Sequence, residues 1–225
     1  MGSEFINGAK HAFSTSLSDR ALITAMTNAA NAVATVVGPP PAADSILLLT
    51  GMTNWTDLDE QATYVSAVNG QNVTLSQIDT RNEQFFVAGE GDGGYQIASN
   101  FVTLSQIRDI TQSGGDSNTF NYAYIGDRSR RQRSKPTDTN PIVLTFTMDY
   151  DSELPWYDAL DQISQRGDLV VMRETLPTGD VLLYSGYMSF NKSPTRVRNE
   201  NMTVVATMSV NSEVLRFPAE LFGGP

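Results

Sequence analysis

Apolar and polar residues alternate most regularly in the last third of the chain. From Ile142 to Tyr150 every second residue is apolar or aromatic, and Thr145 and Thr147 lie between them. Successive side chains of a strand point to opposite faces, so this pattern predicts a strand with one apolar and one mostly polar face. Residues 201–211 alternate in the same way and predict a second strand of this kind.

A short helix and a hairpin are predicted between these two strands. The apolar stripe of the helix consists of Trp156, Leu160 and Ile163, with Tyr157 beside it. Ser152 is a candidate N-cap, Pro155 is compatible with a first turn, and Gly167 is predicted to end the helix. Strands over 169–176 and 181–190 follow, joined by a Pro-Thr-Gly-Asp turn.

The first 41 residues give a weaker pattern. Residues 1–19 are polar without a clear period and are predicted to form an extended arm. Residues 21–37 are rich in Ala, Thr, Val and Asn, so both a helix and a strand pair are open. Because Asn and Thr are poor helix formers, we favour two strands with a turn near Asn28. Residues 38–41, Gly-Pro-Pro-Pro, begin a linker.

Residues 42–88 have the pattern of a small β module. Strands are predicted over 45–50, 63–68 and 72–78, and Asn69-Gly70 is a strong hairpin signal. Short strands at this spacing suggest a small barrel. The following glycine-rich run, 89–94, is predicted to be a flexible turn, and it lacks the lysine and the helix of a phosphate-binding loop.

One six-residue sequence, Val-Thr-Leu-Ser-Gln-Ile, occurs twice. It occupies residues 73–78 and 102–107, while the flanking sequences differ. We therefore favour a shared strand preference over an internal repeat. A short strand over 120–125 and a long polar loop over 126–140 are predicted next, and a loop of this length inside a domain is usually functional or disordered.

Composition removes most enzyme chemistry. The chain has 225 residues, no cysteine and a single histidine, His11. A thiolate nucleophile, a disulfide and a zinc-thiolate site are therefore excluded, and little acid–base chemistry near neutral pH is left. No apolar run reaches the roughly 18 residues of a transmembrane helix, and from the pattern of the first residues we expect no secretory signal. Residues 2–5 are either a cloning remnant or a natural start.

Paired carboxylates are the other candidate chemistry. A glycosidase needs two acids across a sugar, and Asp149 and Asp151 lie on one strand end. No aromatic cleft pattern accompanies them, so solvated acids are the favoured interpretation. The acids at 57–60 lack the spacing of a known calcium loop. We expect no catalytic site, no cofactor and no metal site.

The charge is negative overall but unevenly distributed. The formal net charge is −10 at pH 7. Five cations form what we call the basic cluster: Arg128, Arg130, Arg131, Arg133 and Lys135. A DNA-binding arm, a solvated loop and an inter-subunit contact that reaches acids on a neighbour are all open. The DNA-binding arm is disfavoured because the segment is short and has no interleaved aromatic residues. We favour the contact, because an acidic body with one basic segment can complement itself in an assembly.

The order of elements over residues 98–217, and more loosely the strand region at Ala21, resembles that of the major tail tube protein of long non-contractile-tailed bacteriophages. The features that carry the resemblance are Gly114-Gly115 after the 107–111 strand, the strand at 142–150, the helix around 154–160, Gly179-Asp180 at the hairpin tip, Gly186-Tyr187-Met188, and the last strand at 201–211 after Pro194. The 42–88 module is similar to small β-barrel insertions of phage structural proteins, and its role stays open.

The resemblance implies a mainly β fold, with a β-sandwich or barrel of tail tube type and one flanking α-helix. Under it, residues 1–41 are an N-terminal arm and the first strands of the tube domain. Residues 42–88 are a small inserted barrel, 89–217 are the main sandwich, and 218–225 are a C-terminal arm.

The resemblance also implies a structural subunit and not an enzyme. Six copies would form a ring, and stacked rings would form a hollow virion tail tube whose lumen conducts DNA at genome ejection without specific binding. A polar, largely acidic lumen would let DNA slide, because a basic lumen would trap phosphates. Expected partners are further copies of the chain, the tape measure protein, the tail terminator and the tail tip proteins, with no membrane. Assembly would take place in the host cytoplasm.

Two alternatives stay open. The same fold serves the tube of a contractile tail or a secretion system. A monomeric carbohydrate-binding β-sandwich is the other alternative, and it requires an exposed aromatic patch, for which Trp55, Tyr64 and Tyr95 are the candidates.

Overall fold

The computed structural model describes residues 7–126, 128, 129 and 131–222. Within these residues, thirteen strands form one antiparallel sheet, two strands form a second sheet, and there is one α-helix. The chain is therefore mainly β with one helix, as predicted. The strands are β1 (Lys10–Leu17), β2 (Ala21–Met26), β3 (Val33–Val36), β4 (Ile46–Thr50), β5 (Ala62–Asn69), β6 (Asn72–Ser76), β7 (Gly93–Leu104), β8 (Ile107–Ser113), β9 (Ser117–Tyr122), β10 (Arg133–Thr139), β11 (Val143–Asp149), β12 (Leu169–Thr175), β13 (Val181–Asn191), β14 (Thr203–Val210) and β15 (Leu215–Phe217), and the helix α1 is Pro155–Arg166.

Six strands close into a small barrel. Their order is β2-β3-β6-β5-β4-β7, and the first part of β7 pairs back onto β2. The preference for strands over a helix in residues 21–37 is confirmed. The barrel thus includes two strands that lie before residue 42, in the segment that the family resemblance assigned to the tube domain. We propose a barrel unit that begins at β2.

The strands outside the barrel, together with β7, surround a hydrophobic core that is separate from the core of the barrel. Their order is β7-β1-β12-β13-β14-β11-β8, with β15 added beside β13. Strands β1 and β11 face each other across this core, where the rings of His11 and Phe146 are 5.8 Å apart. The helix contributes Trp156, Leu160 and Ile163 to the same core. We call this part the main sheet, and it has the character of a sandwich with one flanking helix.

The prediction for the start of α1 is wrong, and the prediction for its end is confirmed. Ser152 does not cap the helix, because the helix begins at Pro155 and its N-cap is Leu154, which has no polar side chain. Gly167 ends the helix as predicted. Its φ of 67° lies in the left-handed region, and its N–H donates to the Ile163 carbonyl at 2.9 Å.

The predicted N-terminal arm is wrong for residues 10–17, which form β1. This strand lies between β7 and β12, and both of its faces are covered around Phe13. His11 and Ser14 are buried with it, and the Ser14 hydroxyl accepts a hydrogen bond from the Val171 N–H at 2.9 Å. A strand that is covered on both faces needs no apolar–polar alternation, so residues 10–17 show no period. Residues 1–6 lie outside the described part of the chain.

The predicted flexible turn at 89–94 is wrong at its last two glycines. Gly93 and Gly94 are buried and begin β7. A Cβ at Gly94 would overlap the guanidinium of Arg20 and the carbonyl oxygen of Ala21, so the packing requires glycine there.

The two copies of the six-residue sequence share a local structure, because each places its glutamine, Gln77 or Gln106, at positive φ after a strand.

The C-terminal segment, which was predicted to be an arm, packs against the rest of the fold over its described residues. Residues 219–222 form a 3-10 turn. The Leu221 carbonyl accepts a hydrogen bond from the Tyr64 hydroxyl at 2.5 Å, and the Phe222 ring lies 4.5 Å from the Tyr64 ring. The turn therefore packs on the small barrel. Residues 223–225 lie outside the described part.

Candidate assembly surfaces

One side of the main sheet carries a face of small polar side chains. It spans β13, β14, β11 and β8. One row across these strands consists of Ser189, Thr207, Thr145 and Thr111, which are paired in register. The opposite side chains of β11 and β14 are buried or partly buried against the core. We call this surface the polar face, and its hydroxyl groups would be hydrated in any water-filled space.

The polar face carries few charges. Asp109 lies opposite Thr147, and Asp149 lies opposite Thr203. Asp149 forms an ion pair with Arg108, a residue of β8. The positive charge of Arg108 is therefore offset locally, and this face carries no run of cations that would hold phosphate groups.

Strand β8 is an open edge of the main sheet. Among the described residues it pairs with β11 alone, and it ends the strand order. An edge strand presents unpaired backbone N–H and C=O groups, which form a template for another strand. The open edge borders the polar face directly.

The basic cluster lies on a protruding hairpin. Strands β9 and β10 pair only with each other among the described residues, and all but one of their side chains are exposed. The prediction of a loop over 126–140 is therefore wrong for residues 133–139. Arg, Ser, Lys, Pro and Asp are unusual in strands, and no face is buried, so only the pairing with β9 defines this strand. We call residues 117–139 the basic hairpin.

The hairpin combines cations with aromatic rings, which the sequence pattern had not indicated. In the register, Arg133 lies opposite Tyr122 and Lys135 opposite Phe120. The guanidinium carbon of Arg133 lies 5.4 Å from the ring centre of Tyr124, within cation–π range. Arg128 and Arg131 lie near the tip and are exposed, while Arg130 lies outside the described residues. The cluster is thus split between the tip and one strand.

Comparison with protein families decides the affiliation of the chain. The family described as "Phage tail tube protein, TTP" matches residues 53–219. The chain belongs to the phage tail tube protein family. The family resemblance seen over residues 98–217 is therefore confirmed. The match also covers most of the segment predicted to be an inserted module, because it begins at residue 53.

Three solved structures are similar to this tail tube protein in part. A chain from the tail of an empty gene transfer agent particle, refined with C6 symmetry, has a TM-score of 0.42 and 10% identity over 53% of this chain and 87% of its own. A chain from the virion of a native gene transfer agent has a TM-score of 0.40 and 10% identity, with shares of 52% and 88%. A chain from the anti-feeding prophage baseplate has a TM-score of 0.38 and 9% identity, with shares of 54% and 87%. No curated protein matches the chain.

Membership of this family makes the chain a structural protein of a bacteriophage virion tail, and the family is not one of enzymes. In the described part of the chain, no three His, Cys, Asp or Glu residues are grouped in a way that could hold a metal ion. Nor does that part contain a helix with the length and apolar character needed to cross a membrane.

The single histidine of the tail tube protein lies inside the main core. His11 Nδ1 is 3.9 Å from Oε2 of Glu174, and the Tyr184 hydroxyl donates to the same oxygen at 3.4 Å. Burial lowers the pKa of His11 and raises the pKa of Glu174, because each charged form loses its hydration. His11 and Tyr184 are buried and Glu174 is partly buried, so this is a polar group at the margin of the core.

Two of the carboxylates at 57–60, Asp59 and Glu60, have structural contacts. Asp59 accepts a hydrogen bond from the Met52 N–H at 3.2 Å, which holds the turn before β5. Glu60 accepts hydrogen bonds from Asn211 at 2.8 Å and from the Tyr187 hydroxyl at 3.3 Å. These bonds attach the small barrel to the main sheet.

The aromatic patch required by a carbohydrate-binding module is absent at the predicted positions. Trp55 and Tyr64 are each 1% exposed, and Tyr95 is 2% exposed. All three pack inside the small barrel. A carbohydrate-binding module that uses these three residues is therefore wrong.

Proposed function

We propose that six copies of this tail tube protein close into a ring, and that stacked rings form a hollow tube which conducts DNA at genome ejection. The observation that supports this best is the open edge of β8 directly beside the polar face. A second copy that added a strand to this edge would remove the exposed backbone groups and extend the polar face around the ring. The number six is the expectation from the family resemblance.

The chemistry of the polar face suits a lumen. Threonine and serine hydroxyls hold water but carry no charge to bind phosphates. Asp109 would repel DNA weakly, and the charges of Arg108 and Asp149 offset each other in their ion pair. DNA would therefore pass such a wall without specific binding, since phosphate neutralisation supplies most nonspecific affinity.

The basic hairpin would provide a contact to a neighbouring subunit or ring. Each of its strands is roughly 20 Å long, the length of about six residues, and the side chains of Arg133 and Lys135 are exposed. In the assembled tail, the tape measure protein would occupy the lumen, and the tail terminator and tip proteins would bind the tube ends. Assembly would take place in the host cytoplasm.

Electron microscopy of the purified protein tests the assembly, and two proline substitutions test the edge. Alternate residues of an edge strand direct their N–H groups outwards, and the others pair with the neighbouring strand. One of Thr111→Pro and Gln112→Pro should therefore spare the pairing with β11 and still block a strand from a second copy. We expect that variant to fold as a monomer and to form no rings.

The second proline variant is the matched control, because it should lose folding stability instead. If the unchanged protein stayed monomeric at every salt and protein concentration tested, the proposed ring would be overturned. Normal rings from both proline variants would overturn the role of the β8 edge.

A further inference from the structure

One loop of the small barrel presents apolar side chains to solvent in a fixed conformation. This loop, residues 82–92, is held from inside. The Trp55 indole N–H donates to the Val87 carbonyl at 3.1 Å, and the Asn28 amide donates to the Phe86 carbonyl at 2.7 Å. The Phe86 ring packs edge-on against Trp55 at 5.3 Å. The loop is therefore an ordered part of the barrel surface.

The side chains on either side of Phe86 point outwards. Phe85 is 60% exposed and Val87 is 47% exposed. Isolated exposed apolar residues are common on proteins, but an aromatic and a branched residue on one anchored loop form a small apolar patch. A loop whose backbone is already held in place loses little conformational entropy on binding, which favours a contact there.

The same loop is acidic. Glu83, Glu90 and Asp92 lie in it and are exposed. The nearest cation in the sequence is Arg81, whose guanidinium forms an ion pair with Asp79 at 2.5 Å. That pair offsets its charge, so the loop combines an apolar centre with net negative charge. We call it the acidic loop.

The basic hairpin has the complementary composition. Its tip carries Ile125, which is fully exposed, and Tyr124, which is 60% exposed. Arg128 and Arg131 follow within a few residues and are exposed. An apolar tip with adjacent cations matches an apolar patch with adjacent acids, and opposite charges around an apolar contact set partner choice and orientation.

We propose that the basic hairpin of one copy docks on the acidic loop of another copy. This inference rests on the proposed function, because it names the receiving surface of the inter-subunit contact. Ile125 and Tyr124 would cover Phe85 and Val87, and the arginines would lie against the glutamates. The small barrel would then have a function of its own as the receptor for the hairpin of a neighbour.

A cysteine experiment tests the contact directly, because the chain contains no cysteine. Ile125→Cys and Phe85→Cys proteins are prepared separately, mixed, assembled and oxidised mildly with oxidised glutathione. We expect a disulfide-linked dimer of the two variants. The matched control pairs Ile125→Cys with Val197→Cys, another exposed residue outside the barrel. A contact raises the effective concentration of one thiol near the other. We therefore expect the yield of linked dimer to be at least about ten-fold higher for the first pair than for the control pair.

Charge exchange gives a second test without new bonds. Arg128→Glu with Arg131→Glu should raise the protein concentration needed for assembly by about ten-fold, as two exposed ion pairs turn repulsive. Glu83→Lys with Glu90→Lys should do the same. Mixing these two variants should restore assembly between them, because the opposite charges meet again. Arg196→Glu with Arg198→Glu is the control of equal charge change on another exposed loop.

The outcomes separate this inference from the proposed function. The docking would be overturned if the tubes assembled normally but no disulfide formed between Ile125→Cys and Phe85→Cys, and if the charge variants did not rescue each other. The proposed tube would be unaffected by that result. Hairpin variants that assemble normally but lose binding to DNA would also overturn it, in favour of a nucleic acid contact. Failure of the unchanged protein to assemble would overturn the proposed function itself.

Discussion

The side-chain amide of Asn211 donates a hydrogen bond of 2.8 Å to the carboxylate of Glu60, although the two residues are 151 positions apart. The Tyr187 hydroxyl donates to the same carboxylate, and the Ser185 hydroxyl donates to the Glu60 backbone carbonyl. One residue of the small barrel is thus attached to the end of the main sheet by three bonds. The barrel and the sheet are joined at this point by polar contacts as well as by their shared strand β7.

Glu60→Ala should loosen this junction. The substitution removes the acceptor of two hydrogen bonds, so we expect the free energy of unfolding to fall by about 1–2 kcal/mol. Urea unfolding followed by tryptophan fluorescence measures the change. Asp57→Ala, an exposed acid of the preceding turn, is the control and should stay within about 0.5 kcal/mol. Equal effects of the two substitutions would contradict a specific junction.

Gly186→Ala should destabilise the main sheet. A Cβ at this position would overlap the carbonyl oxygen of Ser209 on β14. The backbone must move to make room for the added methyl group, so we expect the free energy of unfolding to fall by about 1–3 kcal/mol. Thermal unfolding provides the measurement. Ser189→Ala, an exposed position on the same strand, is the matched control, and a stable Gly186→Ala protein would show that the two strands are not held this closely.

Stability should fall in alkali partly through Tyr64. Burial raises the pKa of this phenol from 10.0 to about 12, and its hydrogen bond to Asp44 adds to the shift. The unfolded chain ionises the phenol near pH 10 while the folded protein keeps it neutral to about pH 12. Its contribution is therefore complete below pH 10 and is lost as the pH rises to 12. Urea unfolding at several alkaline pH values should show a shallower decline for Tyr64→Phe, and an unchanged slope would contradict this assignment.

Cations placed on the polar face should slow the passage of DNA if this face lines the lumen. Thr145 and Thr207 are paired neighbours there, so Thr145→Arg with Thr207→Arg would add twelve cations to each ring of six. We expect slower DNA release from phage carrying such tubes, with the effect reduced by salt, because each phosphate contact releases counterions. Ser66→Arg with Gln71→Arg places the same charges on the small barrel. Equal release from both tubes would contradict the lumen assignment.

Sequence patterns predicted the elements that bury one side. Strands β11 and β14 alternate because one face meets the core, and α1 shows its stripe for the same reason. Strand β1 was missed because both of its faces are covered, and β10 was missed because neither is. A period in the sequence records a difference between two sides, so it vanishes when the sides are alike.

The candidate surfaces divide in the same way. The basic cluster is contiguous in the sequence and was found there. The rings beside it, Tyr122 and Phe120, come from the partner strand, and only the register places them opposite Arg133 and Lys135. The polar side of β11 could be predicted, while its continuation onto Thr111 and Ser189 depends on which strands are neighbours.

The sequence by itself determined a mainly β protein with one helix, a negative charge with one basic segment, and the tail tube family. Those properties depend on local propensity, composition and the order of elements along the chain. Only the tertiary structure decided that β2 and β3 close the small barrel, that β8 is the open edge, and that Glu60 joins the barrel to the main sheet. These depend on contacts between residues far apart in the sequence, and many chains with the same local pattern could form different pairings.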